Sequence, residues 1–279
     1  MKTLNIKHRH VGSTDLSLPV LGFGGAALGG LFDKVPTLDA EAVLTEAFNA
    51  GLQYVDTAPY YGFGRSERVV GNILRGRNYT LSTKVGRLLK PGAMDNPSQY
   101  GWPDALPFTP VFDYSYDAIM RSFDDSLQRL GLDRIDILYV HDIGKMVHGA
   151  DNANHFSTLA DSGYKALDEL RTAGIIKAIG LGVNENEICR DALKIGNWDA
   201  FLLAGRYTLL EQTPLDQLLS ECSSAGTSIV IGGPYNSGIL VGGDTWDYGK
   251  APPEILAKVK ALALVADEFD IPLAAAALQ

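Results

Sequence analysis

Four polar side chains stand at or just past the ends of short apolar runs: Asp56 in QYVD, Lys84 in LSTK, His141 in LYVH and Asn184 in LGVN. A fifth candidate, Tyr61, follows Asp56 within DTAPYYG. A phenol ionises near pH ~10, so Tyr61 can shuttle protons at neutral pH only if a neighbouring cation stabilises its phenolate. Lys84 is such a cation. A buried ammonium tends to discharge unless an anion holds it, and Asp56 can both keep Lys84 charged and aim it. His141 can then orient a carbonyl or alcohol oxygen against the Tyr61 hydroxyl. Together these residues form an acid/base set for carbonyl chemistry that needs no nucleophile.

Such a set works only if separate elements deliver its members to one edge. Apolar runs at 19–24, 54–56, 80–84, 137–141, 176–181, 200–204 and 228–231 read as seven buried strands. Amphipathic patterns at 37–50, 114–130, 163–173, 185–195 and 253–269 read as helices, and a further helix opens at Thr213-Pro214 and closes at Gly226. Strands alternating with helices predict a parallel α/β sheet, doubly wound or closed into a barrel. In a barrel, residues from several strand ends converge at the C-terminal face. Residues 88–113 predict a long irregular loop whose aromatic residues wall a site. No linker, low-complexity tract or shift in composition divides the 279 residues, so one domain is expected.

The order and setting of Asp56, Tyr61, Lys84 and His141, in DTAPYYG, STKVG and LYVHD, resemble the aldo-keto reductases. The likeness runs from about Arg9 to the last residue and includes LGFGGAALGG and RSFDDSLQRLGLDRIDILYVHD. It implies a (β/α)8 TIM barrel with an N-terminal β-hairpin at VGSTDLSLP, and an eighth strand beyond Gln279 that leaves the 1–279 domain incomplete. It also implies hydride transfer between a nicotinamide cofactor, NADP or NAD, and a substrate carbon. Tyr61 would be the proton donor or base, Lys84 and Asp56 would tune it, and His141 would position the substrate oxygen. Asn184 would hold the carboxamide, with Gly24, Gly25, Gly233, Tyr235 and Ser237 as further cofactor contacts. Tyr60, Trp102, Phe108 and Phe112 are expected on the substrate wall.

Within the family, KVGRLLKPG, VHDIG and AGRYTLLEQ are most similar to dehydrogenases that oxidise an aldose to a lactone, and to those that act on pyridoxal. The small-molecule substrate implied is an aldose, pyridoxal or another carbonyl compound. The alternatives are a general NADPH-dependent aldehyde or ketone reductase, and a nucleotide-binding subunit with weak turnover.

Other classes fit less well. Gly22, Gly24 and Ala27 match a dinucleotide-binding fingerprint, but the acidic residue expected ~20 positions on is missing, and Asp56 comes only after a whole helix. His148 and His155, near Asp142 and Asp151, lack metal-ligand spacing and read as solvated loop residues, so no metal is expected. A net charge of −9 without a basic cluster argues against nucleic acid. The late apolar stretch 261–279 is broken by charges and Pro272, which argues against a membrane span. With Cys189 and Cys222 as the only cysteines and no signal-like N-terminus, the cytoplasm is expected.

Overall fold

Side-chain alternation along each strand decides what enters a barrel and what meets the helices around it. A computed structural model of the chain describes residues 6–279. Its strands are β1 (His8–His10), β2 (Ser17–Pro19), β3 (Phe23–Gly24), β4 (Tyr54–Asp56), β5 (Thr80–Val85), β6 (Arg87–Pro91), β7 (Phe108–Phe112), β8 (Ile137–His141), β9 (Ala178–Val183), β10 (Ala200–Ala204), β11 (Ser228–Gly232), β12 (Thr245–Trp246) and β13 (Gly249–Lys250). Seven of them form one curved sheet in the order β11-β10-β9-β8-β5-β4-β3, and every neighbouring pair is parallel. This is the expected (β/α)8 barrel arrangement, with β3 and β11 as the sheet edges among the described residues.

Val55, Leu81, Leu138, Val140, Ile179, Leu181 and Phe201 face outward into the main apolar core beneath the helices. Tyr54, Ile137, Tyr139, Ala178 and Ala200 face inward, where Val11, Leu16 and Leu18 of the β1–β2 hairpin pack on them. The hairpin therefore closes the end of the barrel where the strands begin. That leaves the opposite end for chemistry. Small residues on β9 make room in the interior: a Cβ on Gly180 would lie 1.7 Å from the Ala200 carbonyl oxygen, and one on Gly182 would lie 3.1 Å from Lys84 Cε.

The helices are α1 (Thr37–Asn49), α2 (Arg65–Leu74), α3 (Tyr116–Leu130), α4 (Lys145–His148), α5 (Asn152–Thr158), α6 (Tyr164–Thr172), α7 (Asn186–Ala192), α8 (Leu218–Ala225), α9 (Pro253–Glu268) and α10 (Leu273–Leu278). In α3 the local signals agree. Ser115 caps the first turn, Ile119, Phe123 and Leu130 are buried, and Gly131 ends the helix at φ 61°.

The structure corrects two expectations and adds one helix. Residues 88–113 are not a long irregular loop, because β6 and β7 pair antiparallel from Arg87↔Phe112 to Pro91↔Phe108. The region after β8 holds α4 and α5, so His148 and His155 are not solvated loop residues: their rings lie 4.1 Å apart, tilted by 38°, and meet Phe112 and Tyr114 edge-on. α2 had no counterpart in the sequence reading. Its inward face is unusually polar, with Ser66 and Glu67 fully buried, Glu67 accepting from Thr83 Oγ1 at 2.7 Å and from Arg129 Nε at 2.5 Å.

Candidate active site

β4, β5 and β8 deliver Asp56, Lys84 and His141 to the open end of the barrel, and the turn after β4 brings Tyr61 over them. That turn is tight. Gly62 lies at φ 62°, where a Cβ would come 2.4 Å from the Gly29 carbonyl oxygen. Lys84 is 2% exposed, and its Nζ donates to Asp56 Oδ2 at 2.6 Å and to the Thr57 carbonyl at 2.9 Å. The same ammonium lies 4.7 Å from the centre of the Tyr61 ring. Asp56 Oδ1 accepts from Ser82 Oγ at 2.7 Å, and Ser82 is in turn bonded to Tyr54 Oη at 3.0 Å. The carboxylate is thereby held on both oxygens.

Burial pushes the Tyr61 phenol up to about 12, against the pull of Lys84 and with Asp56 adding to the rise. For Lys84, burial favours discharge, but Asp56 and then Tyr61 outweigh it and hold the amine above the usual lysine range. The imidazole of His141 behaves differently: burial, with Arg87 and Lys84 nearby, depresses its pKa well below the usual value and keeps it neutral. Its ring meets that of Tyr61 edge-on at 5.8 Å. A neutral ring and a phenol therefore face the same space, and neither brings a competing charge.

That space is a cavity of about 580 Å3 lined by Tyr60, Tyr61, Lys84, Trp102, His141 and Asn184, among others. The volume suits a small ligand. Of the residues expected on the substrate wall, Tyr60 and Trp102 line it, their rings edge-on at 5.6 Å. Phe108 packs beneath, with Phe63, Leu89 and Trp102. Phe112 lies behind the wall, against Tyr114, His148 and the Arg87 guanidinium.

The expected cofactor contacts separate in the same way. Asn184 reaches the cavity, its Nδ2 donating to the Ala204 carbonyl and to Tyr248 Oη, both at 3.2 Å. Gly24 and Gly25 lie off the lining, and Gly25 is explained by strand packing: its N–H donates to the Asp56 carbonyl at 2.7 Å, and a Cβ there would meet that same oxygen. Tyr235 packs into the apolar cluster of Ile239 and Leu240. Gly233 and Ser237 also lie off the lining, though Ser237 Oγ accepts from the Tyr248 N–H at 3.1 Å.

Sequence reasoning missed Tyr248 and Asp142. Tyr248 sits in the β12–β13 turn, where Asp247 and Tyr248 both have positive φ, and Arg206 grips Asp247 through both carboxylate oxygens at 2.8 and 2.9 Å. Asp142 follows His141 and faces the same cavity. The buried donor Lys84, the neutral His141 and the amide of Asn184 open to one volume, which fits a nicotinamide beside a small oxygenated substrate.

Comparison with known proteins agrees with this geometry. The model of the aldo/keto reductase family matches residues 20–279. Pyridoxal 4-dehydrogenase of Microbacterium luteolum is 47% identical over 97% of this chain and 84% of its own length. D-threo-aldose 1-dehydrogenase of a Pseudomonas species is 37% identical over 95% of this chain and 82% of its own. Among solved structures, the holo form of an aldo-keto reductase from Bacillus halodurans superposes with a TM-score of 0.74 at 26% identity, covering 98% of this chain and 81% of that one.

Proposed function

Starting from a chain that belongs to the aldo/keto reductase family, we propose that this oxidoreductase oxidises the hydroxyl of a cyclic hemiacetal, that of an aldose or of pyridoxal, with NAD or NADP as acceptor. The single observation that carries the reading is the buried Lys84 ammonium, bonded at 2.6 Å to Asp56 and set against the Tyr61 ring. A lysine so paired does no structural work that would be lost if both partners were replaced by apolar residues of similar volume. Its use is to stabilise the phenolate of Tyr61.

The nicotinamide, when bound, takes or supplies the hydride. Tyr61 as phenolate accepts the hydroxyl proton as the hydride leaves carbon, and in the reverse direction its hydroxyl returns the proton to the carbonyl oxygen. Lys84 stabilises the phenolate, and Asp56 keeps Lys84 charged and aimed. His141, neutral, donates an N–H to the reacting oxygen and so fixes it against Tyr61. Asn184 offers its amide to the cofactor carboxamide. Tyr60 and Trp102 press on the apolar side of a sugar or pyridine ring. Two buried cysteines without a disulfide support a reducing compartment such as the cytoplasm.

The test is reduced-nicotinamide absorbance with NAD or NADP and a panel of aldoses and pyridoxal. Tyr61→Phe is expected to lose at least about 10²-fold in kcat while still binding nucleotide, in line with loss of a positioned acid/base group. A Tyr61→Phe variant turning over at the wild-type rate would refute the assignment.

A further inference from the structure

Beside His141 lies a second charged pair that the proton transfer does not use. The guanidinium of Arg87, a residue 5% exposed, stands 3.9 Å from the centre of the Tyr60 ring on one side and 4.8 Å from that of Phe112 on the other. Its Nη2 donates to Asp142 Oδ2, and its buried Nε has no protein partner among the described residues. Asp142 itself adopts φ 48°, a left-handed conformation uncommon for a residue other than glycine, and its N–H donates to the Gly182 carbonyl at 2.9 Å. A buried ion pair is weak evidence of stabilisation, since apolar residues of similar volume usually serve as well. Backbone strain beside a reacting centre persists where the surroundings enforce it, and it invites a functional account.

The position of the carboxylate supplies that account. Asp142 lines the cavity with Tyr61 and His141, and its Oδ2 lies 3.6 Å from His141 Nε2. Its other oxygen, Oδ1, makes no hydrogen bond to protein among the described residues and is not one of the sealed, unsatisfied buried atoms. His141 Nε2 would hold the reacting oxygen at about 2.8 Å, and the oxygens of a gauche vicinal pair are about 2.9 Å apart. A second hydroxyl at that spacing closes a four-sided figure with His141 and the Asp142 carboxylate: three sides are each about one hydrogen-bond length, and the fourth is the 3.6 Å between His141 Nε2 and Oδ2, the oxygen Arg87 also holds, with Oδ1 beside it on the same carboxylate. A carboxylate accepts only, so the group it reads must be a donor.

We propose that Asp142, held by Arg87, is a specificity-determining residue that accepts a hydrogen bond from a substrate hydroxyl standing within about 3 Å of the reacting oxygen. The proposal rests on the reading of the site as a hemiacetal or carbonyl oxidoreductase. It defines a substrate class: α-hydroxy carbonyl compounds and their cyclic hemiacetals, the 2-hydroxyl of an aldose being the simplest case. The ring hydroxyl beside the formyl carbon of pyridoxal meets the same requirement only in the tautomer in which that oxygen carries the proton. Plain alkyl aldehydes and 2-deoxy sugars do not. Burial raises the Asp142 carboxyl above its ordinary range, and Arg87, with Lys84 behind it, pulls it back toward the charged form; the β6–β7 hairpin keeps Arg87 in place through Phe112.

The experiment compares an aldose with its 2-deoxy analogue in the full chain, with nicotinamide nucleotide saturating. The wild type is expected to favour the aldose by about 10- to 100-fold in kcat/KM, the span of one hydrogen bond to a charged acceptor. Asp142→Asn is expected to bring that ratio to within about threefold of one, mainly through KM for the aldose, because Asn keeps the shape and removes the charge. Should the stranded Arg87 cation unfold that variant, Arg87→Met combined with Asp142→Asn removes both charges and is expected to show the same collapsed ratio. A wild-type ratio near one, or a ratio that survives in either variant, overturns the proposal. Reduction of a hydroxyl-free aldehyde, lost in Tyr61→Phe, separates the two readings: with it present, an unselective wild type defeats the role of Asp142 alone, and with no turnover of any substrate both fall.

Discussion

Replacing Lys84 by Met, together with Asp56 by Asn, tests the electrostatic core of the site. The single change would leave Asp56, 8% exposed, as a buried carboxylate without its cation, at a cost of about 3–5 kcal/mol. Against a total stability of about 5–15 kcal/mol, that loss could obscure any effect on activity. Asn at position 56 removes the stranded charge and still accepts from Ser82 Oγ, so the double variant is expected to fold. The effect on chemistry follows from distance. With the ammonium 4.7 Å from the Tyr61 ring centre and an effective dielectric of about 20, the cation is worth about 3.5 kcal/mol to the phenolate, a change of about 2.5 in pKa. Losing Asp56, whose charge raises the phenol, takes back part of that change, but Lys84 is the larger of the two influences, so Tyr61, already at about 12, still moves up. A kcat lower by about 10²-fold is expected, with nucleotide binding retained when followed by quenching of protein fluorescence. A folded double variant that binds nucleotide and turns over within about threefold of wild type would show that Lys84 does not act through Tyr61.

Because Tyr61 ionises near about 12, kcat/KM for oxidation is expected to climb about tenfold per pH unit from pH ~6 to ~10, and a break near pH ~6.5 would instead reveal a titrating imidazole that this site lacks. Burial depresses His141 well below its ordinary value and His148 to about 4, so between those values and pH ~6.5 the unfolded chain binds more protons than the folded one. Stability is therefore full above pH ~6.5 and falls as the medium is acidified through it; a melting temperature that rises between pH 7 and 5 would contradict the neutral assignment. Asn184→Ala is expected to weaken nucleotide binding by roughly tenfold, read by titration, with little change in melting temperature; unchanged affinity would remove Asn184 from the cofactor site. Gly71→Ala should lower the melting temperature by several degrees although alanine favours helix, because its Cβ would lie 1.7 Å from the Leu130 carbonyl oxygen and force α2 from α3; an unchanged or higher melting temperature would show that this approach relaxes freely.

What the sequence made legible was whatever depends on local pattern. The seven barrel strands are short apolar runs, and Asp56 and His141 end theirs because a polar side chain there reaches the open end of the barrel. The α3 boundaries followed from Ser115, the apolar spacing and Gly131. α2 escaped because its buried face carries Ser66, bonded to Thr57 and the Gly25 carbonyl, and Glu67, bonded to Thr83 and Arg129, all outside the helix, so its sequence reads as polar. The β6–β7 hairpin escaped because Pro91 and Pro110 stand in its strands, and an edge ribbon tolerates prolines that would exclude a central strand.

The residues expected around the cofactor show where local pattern ends. Tyr235 is near Gly232 in sequence and was expected at the cavity, yet it turns into the cluster around Ile239, while Tyr248, on a hairpin beyond, reaches Asn184. The turn that carries it has Asp247 and Tyr248 at positive φ where Asn-Gly would be the readable signal, and the conformation is held instead by Arg206 gripping Asp247 and by Ser237 accepting from the Tyr248 N–H. Asp142 and Arg87 follow the same logic. Each is a sequence neighbour of a glycine or histidine with no motif to give it this role, and only the fold of β6, β7 and β8 brings a guanidinium, two aromatic rings and a carboxylate to the side of His141. Asp56, Lys84 and His141 are legible because each stands at or next to a strand end, and Tyr61 because it follows one within a short motif. The groups that choose among substrates are set by contacts between elements, and so become visible only in three dimensions.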